Sequence, residues 1–375
     1  MKDKEVNPIF RDEVGDGIER ERKPKRERID FEREERSKLV APHALDEERV
    51  IDLSLRPSKL DEFTGQFAVK ENLRITIQAA KKRQEPMEHV LLSGPPGLGK
   101  TTLSHIIAHE MGTNIVATSG PAIERAGDLI GILTNLNEGD VLFIDEIHRL
   151  SKVVEEFIYP AMENFNIDFV IDKGPYAKTI KFALKRFTLI GATTRSGLLS
   201  APMRDRFGIL CHLDFYEPED LMSIVNRSAN LLSFQIDQAS AREIAIRSRG
   251  TPRIANRLLR RVRDYSQVKE DGRLDARITQ KALQSQGVDE MGLDAVDRRV
   301  LAAIHEIYDG GPVGIDSLAA TLNEEIDTIV DVVEPYLMKA GFLKRTSRGR
   351  MLTSKAYSHL NVKQSSAQPS QELFE

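Results

Sequence analysis

The chain has 375 residues, a formal net charge of −4 and 30% charged residues. That length allows two or three domains with sizeable cores. Trp is absent, aromatics are 6%, and Cys211 is the one cysteine, which excludes an internal disulfide framework and disfavours a binder that stacks bases on aromatic platforms. The near-neutral charge neither demands nor excludes nucleic acid. Nothing at the N-terminus resembles an apolar signal region, and no apolar run reaches the length of a membrane span, so a soluble, cytoplasmic protein is expected.

Residues 1–45 are dense in both signs of charge, as in Arg20-Glu21-Arg22-Lys23-Pro24-Lys25-Arg26-Glu27-Arg28. Such a segment buries too little apolar surface to offset its ordering entropy, so a disordered extension is expected. From Leu60 to Tyr216 strand-like and helix-like patterns alternate, the mark of a parallel α/β sheet. His89 to Ser93 reads as a buried strand and Thr101 to Met111 as a helix. Between them lies Gly94-Pro95-Pro96-Gly97-Leu98-Gly99-Lys100-Thr101, a complete G-x-x-x-x-G-K-T phosphate loop. Its glycines let backbone N–H groups close around phosphates, Lys100 would reach the β/γ-phosphates of ATP, and the Thr101 hydroxyl would ligate Mg²⁺. The positive end of the following helix favours the same anion.

Val141-Leu142-Phe143-Ile144-Asp145-Glu146 reads as a buried strand ending in two carboxylates, at the sheet edge where such folds bind ligands. Asp145 would hold Mg²⁺ and Glu146 would act as general base on the attacking water. His148 and its neighbours are expected to begin a helix. Phe187 to Thr194 reads as another buried strand with hydroxyls at its tip. Thr194 is the first candidate for a water-positioning sensor and Thr193 the second. Cys211, in an apolar stretch, reads as a small core residue. Arg204-Asp205-Arg206 offers cation density for phosphoryl transfer, or ordinary surface ion pairs.

Residues 217–287 read as helices only. Gly250-Thr251-Pro252-Arg253 places an arginine in the first turn of one of them, which an anion such as a nucleotide phosphate would stabilise. The unit over 288–361 reads as a winged helix. A third helix of that unit, capped by Asn323-Glu324 and running to about Ala340, must kink or split at Pro335. That helix is acidic, with Glu324, Glu325, Asp327, Asp331 and Glu334, which argues against its reading a major groove. The hairpin after it carries Lys344, Arg345, Arg348 and Arg350 with no acid among them, a footprint for DNA phosphates or a docking wing for protein. Residues 362–375 are expected to be a disordered tail.

Together these motifs resemble the AAA+ ATPases, and among them the RuvB family of bacterial Holliday-junction branch-migration motors. The likeness rests on the phosphate loop, Asp145-Glu146-Ile147-His148-Arg149-Leu150, Gly191-Ala192-Thr193-Thr194-Arg195, Arg204-Asp205-Arg206-Phe207-Gly208, the segment Arg249 to Arg257, and Leu55-Arg56-Pro57 followed by Phe63-Thr64-Gly65-Gln66. It implies a large ATPase domain over 46–216, a small helical lid over 217–287 and a DNA-binding winged-helix head over 288–361. It further implies a hexameric ring on duplex DNA that hydrolyses ATP at subunit interfaces and works with RuvA and RuvC in recombination and repair. By position, Leu55 and Arg56 match adenine-side contacts. Gly97, Gly99, Lys100, Thr101 and Thr102 match the phosphate and Mg²⁺ site. Arg206 matches an arginine finger offered to the neighbouring subunit, while Tyr216 and Arg253 match further nucleotide contacts. Glu163, Asn164 and Phe165 match a segment that meets nucleotide through its backbone, and Arg345 and Arg350 match DNA contacts. A RuvA-facing hairpin falls near Ile167 to Arg186, around Lys173-Gly174-Pro175. Lys185-Arg186 stands there in place of an expected proline pair. Two other readings stay open: a different AAA+ machine such as a clamp-loader subunit, and a winged-helix protein that uses ATP as an assembly switch.

Overall fold

Short apolar runs build the centre of the molecule. The computed structural model describes residues 54–170, 179–270 and 272–363. Its first seven strands are Val90–Ser93 (β1), Ile115–Ser119 (β2), Val141–Asp145 (β3), Asn166–Val170 (β4), Thr179–Ala183 (β5), Thr188–Thr193 (β6) and Ile209–His212 (β7). Five of them form one sheet in the order β2-β3-β6-β1-β7, and every pairing in it is parallel. Parallel strands need helical crossovers, which cover both faces of the central strands β1, β3 and β6, so these are apolar and buried nearly throughout, while the edge strands β2 and β7 keep exposed positions. Successive side chains still point to opposite faces. Val90, Leu92, Val141, Phe143, Ile190 and Ala192 join one buried cluster, while Leu91, Leu142, Ile144 and Leu189 join the other. Cys211 is buried in the first cluster, as expected.

The pairing β1–β6 sets Ser93 opposite Thr193, and β3–β6 sets Ile144 opposite Gly191. The phosphate loop, the acid pair and the sensor threonines therefore leave the sheet at one edge. β4 and β5 form a separate antiparallel hairpin. Its tip at Lys173-Gly174-Pro175 lies outside the described residues, as do the extension at 1–45 and the tail beyond Lys363.

After the sheet come four helices, Pro218–Leu231, Gln238–Arg247, Pro252–Lys269 and Ala276–Ser285. Their apolar faces (Leu221, Val225, Ile244, Leu258, Leu283) extend the first cluster without a break. The last unit has its own core, built on Leu301, Ile304, Leu318, Phe342 and Leu352. It contains Ala295–Glu306, Ile315–Leu322, a divided third helix, the hairpin Leu343–Thr346 (β8) with Gly349–Leu352 (β9), and a closing helix Ser354–Leu360. Among the described residues no helix is long and apolar enough to cross a membrane.

Two local expectations are corrected. Ile147–Arg149 is a single 3₁₀ turn, and the next helix, Lys152–Asn164, starts afresh with the Ser151 hydroxyl accepting from the Val154 N–H. In the head, Asn323 does not start the third helix. It closes the second one in the left-handed conformation (φ 52°), and Glu325 precedes the third. Pro335 divides that third helix as anticipated, into Ile326–Thr328, a π-helical stretch Ile329–Val333 and Glu334–Lys339. The widened turn accommodates the ring, which would otherwise clash with the carbonyl one turn back and leave it without a donor.

Candidate nucleotide site and nucleic-acid interface

The phosphate loop closes around its own lysine. Lys100 is 6% exposed, and its Nζ donates to the carbonyls of Gly94 (2.7 Å) and Pro95 (2.9 Å). Burial pushes its pKa below the usual lysine value, against the pull of Asp145, Glu146 and Asp331. A buried ammonium with carbonyl partners and nearby carboxylates is an anion acceptor in waiting, since a phosphate supplies full countercharge. Gly97 needs its missing side chain twice over. Its φ is +80°, and a Cβ there would fall 2.7 Å from Thr251 Cγ2. Gly99 precedes the Lys100–Met111 helix in the left-handed conformation. The partly exposed Thr101 and Thr102 occupy that helix's first turn, where backbone N–H groups are unpaired.

Asp145 ends β3 and Glu146 follows at φ +50°. The Glu146 N–H donates to Asp145 Oδ1 (3.0 Å). Burial raises the Glu146 pKa, and the charges of Asp145 and Asp331 raise it further against Lys100. A carboxylate displaced in this direction is a better proton acceptor near neutral pH. Across from it, the two threonines part company. Thr193 is fully committed: its Oγ1 accepts from the Arg195 N–H (3.0 Å) and sits 2.9 Å from His148 Nδ1. The Thr194 hydroxyl is buried and has no partner. A buried orphan hydroxyl beside a phosphate loop is available for a ligand or water.

Thr101 Oγ1 and a carboxylate oxygen of Asp145 suit Mg²⁺, a hard cation that takes one or two protein oxygens and completes its shell with phosphate and water. Among the described residues no cluster of three or more His, Cys, Asp or Glu side chains could hold a metal unaided. A cation at this edge would therefore depend on nucleotide oxygens.

The helical lid closes over the loop. The Arg253 N–H donates to the Gly97 carbonyl (3.4 Å), and the exposed Arg253 side chain stands in the first turn of Pro252–Lys269. The buried Tyr216 donates from its hydroxyl to Leu98 O (3.1 Å), and burial raises its pKa strongly. Leu55 is buried, with its carbonyl accepting from Arg227 Nη1 (2.7 Å). Arg56 is exposed, and its charge joins burial in depressing the pKa of His105 on the loop helix.

Arg206 belongs to a different neighbourhood. Its Nη2 pairs with Glu163 Oε1 (2.9 Å), its Nη1 donates to Pro202 O (2.6 Å), and its guanidinium lies 4.2 Å from the Tyr159 ring centre. Its Nε is buried without a partner. Asn164 ends the 152–164 helix, and Phe165 turns the chain at φ +50°. Arg206 thus lies beside the helix end that carries Glu163, Asn164 and Phe165, and among the described residues its polar partners are Glu163 and Pro202. At the hairpin base, Lys185 Nζ donates to Asn137 Oδ1 (3.0 Å) and the Arg186 N–H donates to Glu138 Oε2 (3.1 Å). A proline at 186 could not make the second bond.

The wing divides. Lys344, Arg345 and Arg348 are exposed. Arg350 is not: it is 5% exposed and forks onto Glu334, with Nε on Oε1 and Nη2 on Oε2 (3.2 Å). Its guanidinium is spent inside the head, tying the wing to the third helix.

Sequence reasoning also passed over two ion-pair groups. Arg249, 6% exposed, pairs with Asp294 and Asp297 (2.6 Å) and joins lid to head. Arg195 pairs with Asp327 (2.8 Å) and Asp331 (2.5 Å) and joins core to head. Both arginines sat inside quoted motifs, and Asp327 and Asp331 in the acidic helix. Their partners lie too far along the chain for any local pattern to reveal.

Residues 55–213 match the Holliday junction DNA helicase RuvB P-loop domain, 216–289 the RuvB AAA lid domain and 290–361 the RuvB C-terminal winged helix domain. Among solved structures, the chain is similar to the Thermotoga maritima RuvB Holliday junction branch migration motor, at 54% identity over 83% of this chain and 99% of that one, with a TM-score of 0.77. A lysine-to-arginine mutant of Thermotoga maritima RuvB matches at 53% identity over 82% and 99%, with a TM-score of 0.78.

Proposed function

The chain belongs to the RuvB family of Holliday-junction branch-migration motors, and on that premise we propose that it is an ATP-driven hexameric motor that pumps duplex DNA through four-way junctions. The supporting observation is one sheet edge where a phosphate loop, an acid pair, an orphan buried hydroxyl and a lid arginine converge, while Arg206 faces elsewhere.

In this reading Lys100 exchanges its two carbonyl partners for the β/γ-phosphate oxygens. Thr101 and Asp145 would hold Mg²⁺, which neutralises charge on those oxygens when bound. Thr194 orients a water and Glu146 takes its proton as the oxygen attacks the γ-phosphorus and the bond to the bridging oxygen breaks, releasing ADP. Leu55, Arg56, Tyr216 and Arg253 enclose the rest of the nucleotide. Arg206 with Glu163, Asn164 and Phe165 completes the site of the next subunit, which makes the ring necessary for turnover. The exposed wing arginine Arg345 tracks DNA phosphates, RuvA docks on the β4–β5 hairpin, and RuvC acts on the same junction in the cytoplasm.

Glu146 argues against a binding-only switch, which needs no general base. Glu146→Gln is expected to bind ATP and lose turnover. Wild-type protein that hydrolyses ATP no faster than this variant overturns the motor reading. Branch migration of a synthetic four-way junction, with ATP and with or without RuvA, separates this motor from a clamp-loader subunit, whose turnover a junction would not stimulate.

A further inference from the structure

Two acids of the head's third helix, Asp327 and Asp331, point to the ATPase core. The π-helical stretch carries Asp331, and Asp327 lies one turn earlier, so both meet the same guanidinium. Asp331 Oδ1 is 2.5 Å from Arg195 Nε and Asp327 Oδ1 is 2.8 Å from Arg195 Nη2. π-Helical turns concentrate at functional sites because they re-aim side chains. Here the turn is also the one that Pro335 requires.

Arg195 is not a remote anchor. Its backbone N–H donates to Thr193 Oγ1 (3.0 Å), and Thr193 is 2.9 Å from His148 Nδ1. The His148 side chain is 6% exposed, and its Nε2 lies 3.4 Å from Glu146 Oε2. A ring nitrogen facing a carboxylate carries the proton, so Nδ1 is the acceptor and the Thr193 hydroxyl donates to it. The long last step is of the kind that tightens when substrate fills a site. The donors therefore run in one direction: Arg195 N–H to Thr193, Thr193 O–H to His148, His148 Nε2–H toward Glu146.

The backbone of Glu146 has little freedom of its own. It sits at φ +50°, and Gly120 packs so closely that a Cβ there would lie 2.4 Å from the Glu146 carbonyl oxygen. What remains free is the carboxylate, and the His148 imidazole lies beside it, with the charges of Asp145, Lys100 and Asp331 also acting on it.

We infer that His148 is the positioning residue for Glu146, and that the grip of Asp327 and Asp331 on Arg195 fixes that position, so the base of each chain reads whether its own winged-helix head is docked. The inference rests on the reading of Glu146 as the hydrolytic base. Docking steadies the stretch 193–195, which steadies His148, which holds one oxygen of Glu146 and leaves the other for water. Undocking frees Arg195 and lets the carboxylate turn.

The test is a cycle of His148→Ala, the pair Asp327→Asn with Asp331→Asn, and all three together. ATPase kcat and KM are measured for each, with the dissociation constant of a fluorescent ADP analogue and the melting temperature. His148→Ala is expected to lower kcat by about ten-fold to a hundred-fold, the scale of a misplaced catalytic group, while KM and ADP affinity stay within about two-fold. The aspartate pair should lower kcat less. Residues acting along one chain are not additive, so the triple variant should match His148→Ala within about two-fold. His148→Gln, whose amide offers both an acceptor and a donor, should recover much of the loss and guards against simple misfolding. Multiplying effects in the triple variant overturn the inference, as does His148→Ala with wild-type kcat or His148→Gln no better than alanine. If Glu146→Gln abolishes turnover while His148→Ala keeps it, the positioning role falls and the ATPase reading stands. Wild-type protein without turnover overturns both.

Discussion

Arg350→Ala should unfold the head rather than release DNA. The side chains of Arg350 and Glu334 are 7% and 4% exposed. Removing one partner of such a pair leaves a buried, uncompensated charge and costs about 3–5 kcal/mol. For a domain of this size each kcal/mol lowers the melting temperature by about 4–8 °C, so the head transition should fall by at least about 12 °C. Scanning calorimetry of the full chain reads this directly. Replacing both residues together, Arg350→Met with Glu334→Leu, removes both charges and should recover most of the loss. The same two proteins, titrated with duplex DNA at several salt concentrations, should keep the wild-type salt slope wherever the head is folded. Arg345→Ala should do the opposite, lowering that slope by about 1 with no change in melting temperature. An Arg350→Ala variant with wild-type melting and a reduced salt slope would refute the burial argument and return Arg350 to the DNA interface.

Three other outcomes follow from the geometry. Mixing Arg206→Ala with Lys100→Ala subunits should restore part of the ATPase activity that each lacks alone. No recovery at any ratio, with mixed rings shown to form, counts against a shared pocket. Gly97→Ala should abolish nucleotide binding through its clash with Thr251 while the sheet melts as before, and wild-type ADP affinity would contradict that. Burial pushes the Cys211 thiol up to about 11, so at pH 8 it stays protonated. A thiol reagent should label the chain in denaturant and leave the native protein untouched, and rapid native labelling would place Cys211 outside the core.

The nucleotide edge was legible because its geometry is local. Gly97, Lys100 and Thr101 are held by a turn that only certain residues permit, and Asp145 lies where an apolar strand must end. The alternation of Val90, Leu91 and Leu92 between two cores follows from strand pleating alone. The pairing of Arg350 with Glu334 was hidden for the complementary reason. A basic residue on a hairpin looks the same whether it faces solvent or an acid, and Glu334 is sixteen residues upstream, on a different element. Burial is a property of the assembled domain, not of the segment. The same holds for His148, whose partner Thr193 reaches it only once β3 and β6 pair.

The three domains close a circuit within one chain, and the strength of its links sets which of them separates most easily. The lid holds the core through the apolar cluster they share and through Arg253 N–H on the Gly97 carbonyl. It holds the head through Arg249, whose side chain is 6% exposed and whose partner Asp297 is 0% exposed. The head holds the core through Arg195, 24% exposed, with Asp327 at 65% and Asp331 at 21%. A lid rotation driven at Gly97 therefore cannot leave the other two links undisturbed. Exposed pairs are worth about 0–1 kcal/mol and are screened by salt, whereas breaking a buried one costs several times that. The more accessible Arg195 link is expected to yield first, with lid and head moving together. Raising the salt to about 0.5 M, where the screening length shrinks to a few ångströms, should lengthen a core-to-head distance measured by paired fluorophores while a lid-to-head distance holds. Equal lengthening of both distances would mean that Arg249 does not weld the lid to the head.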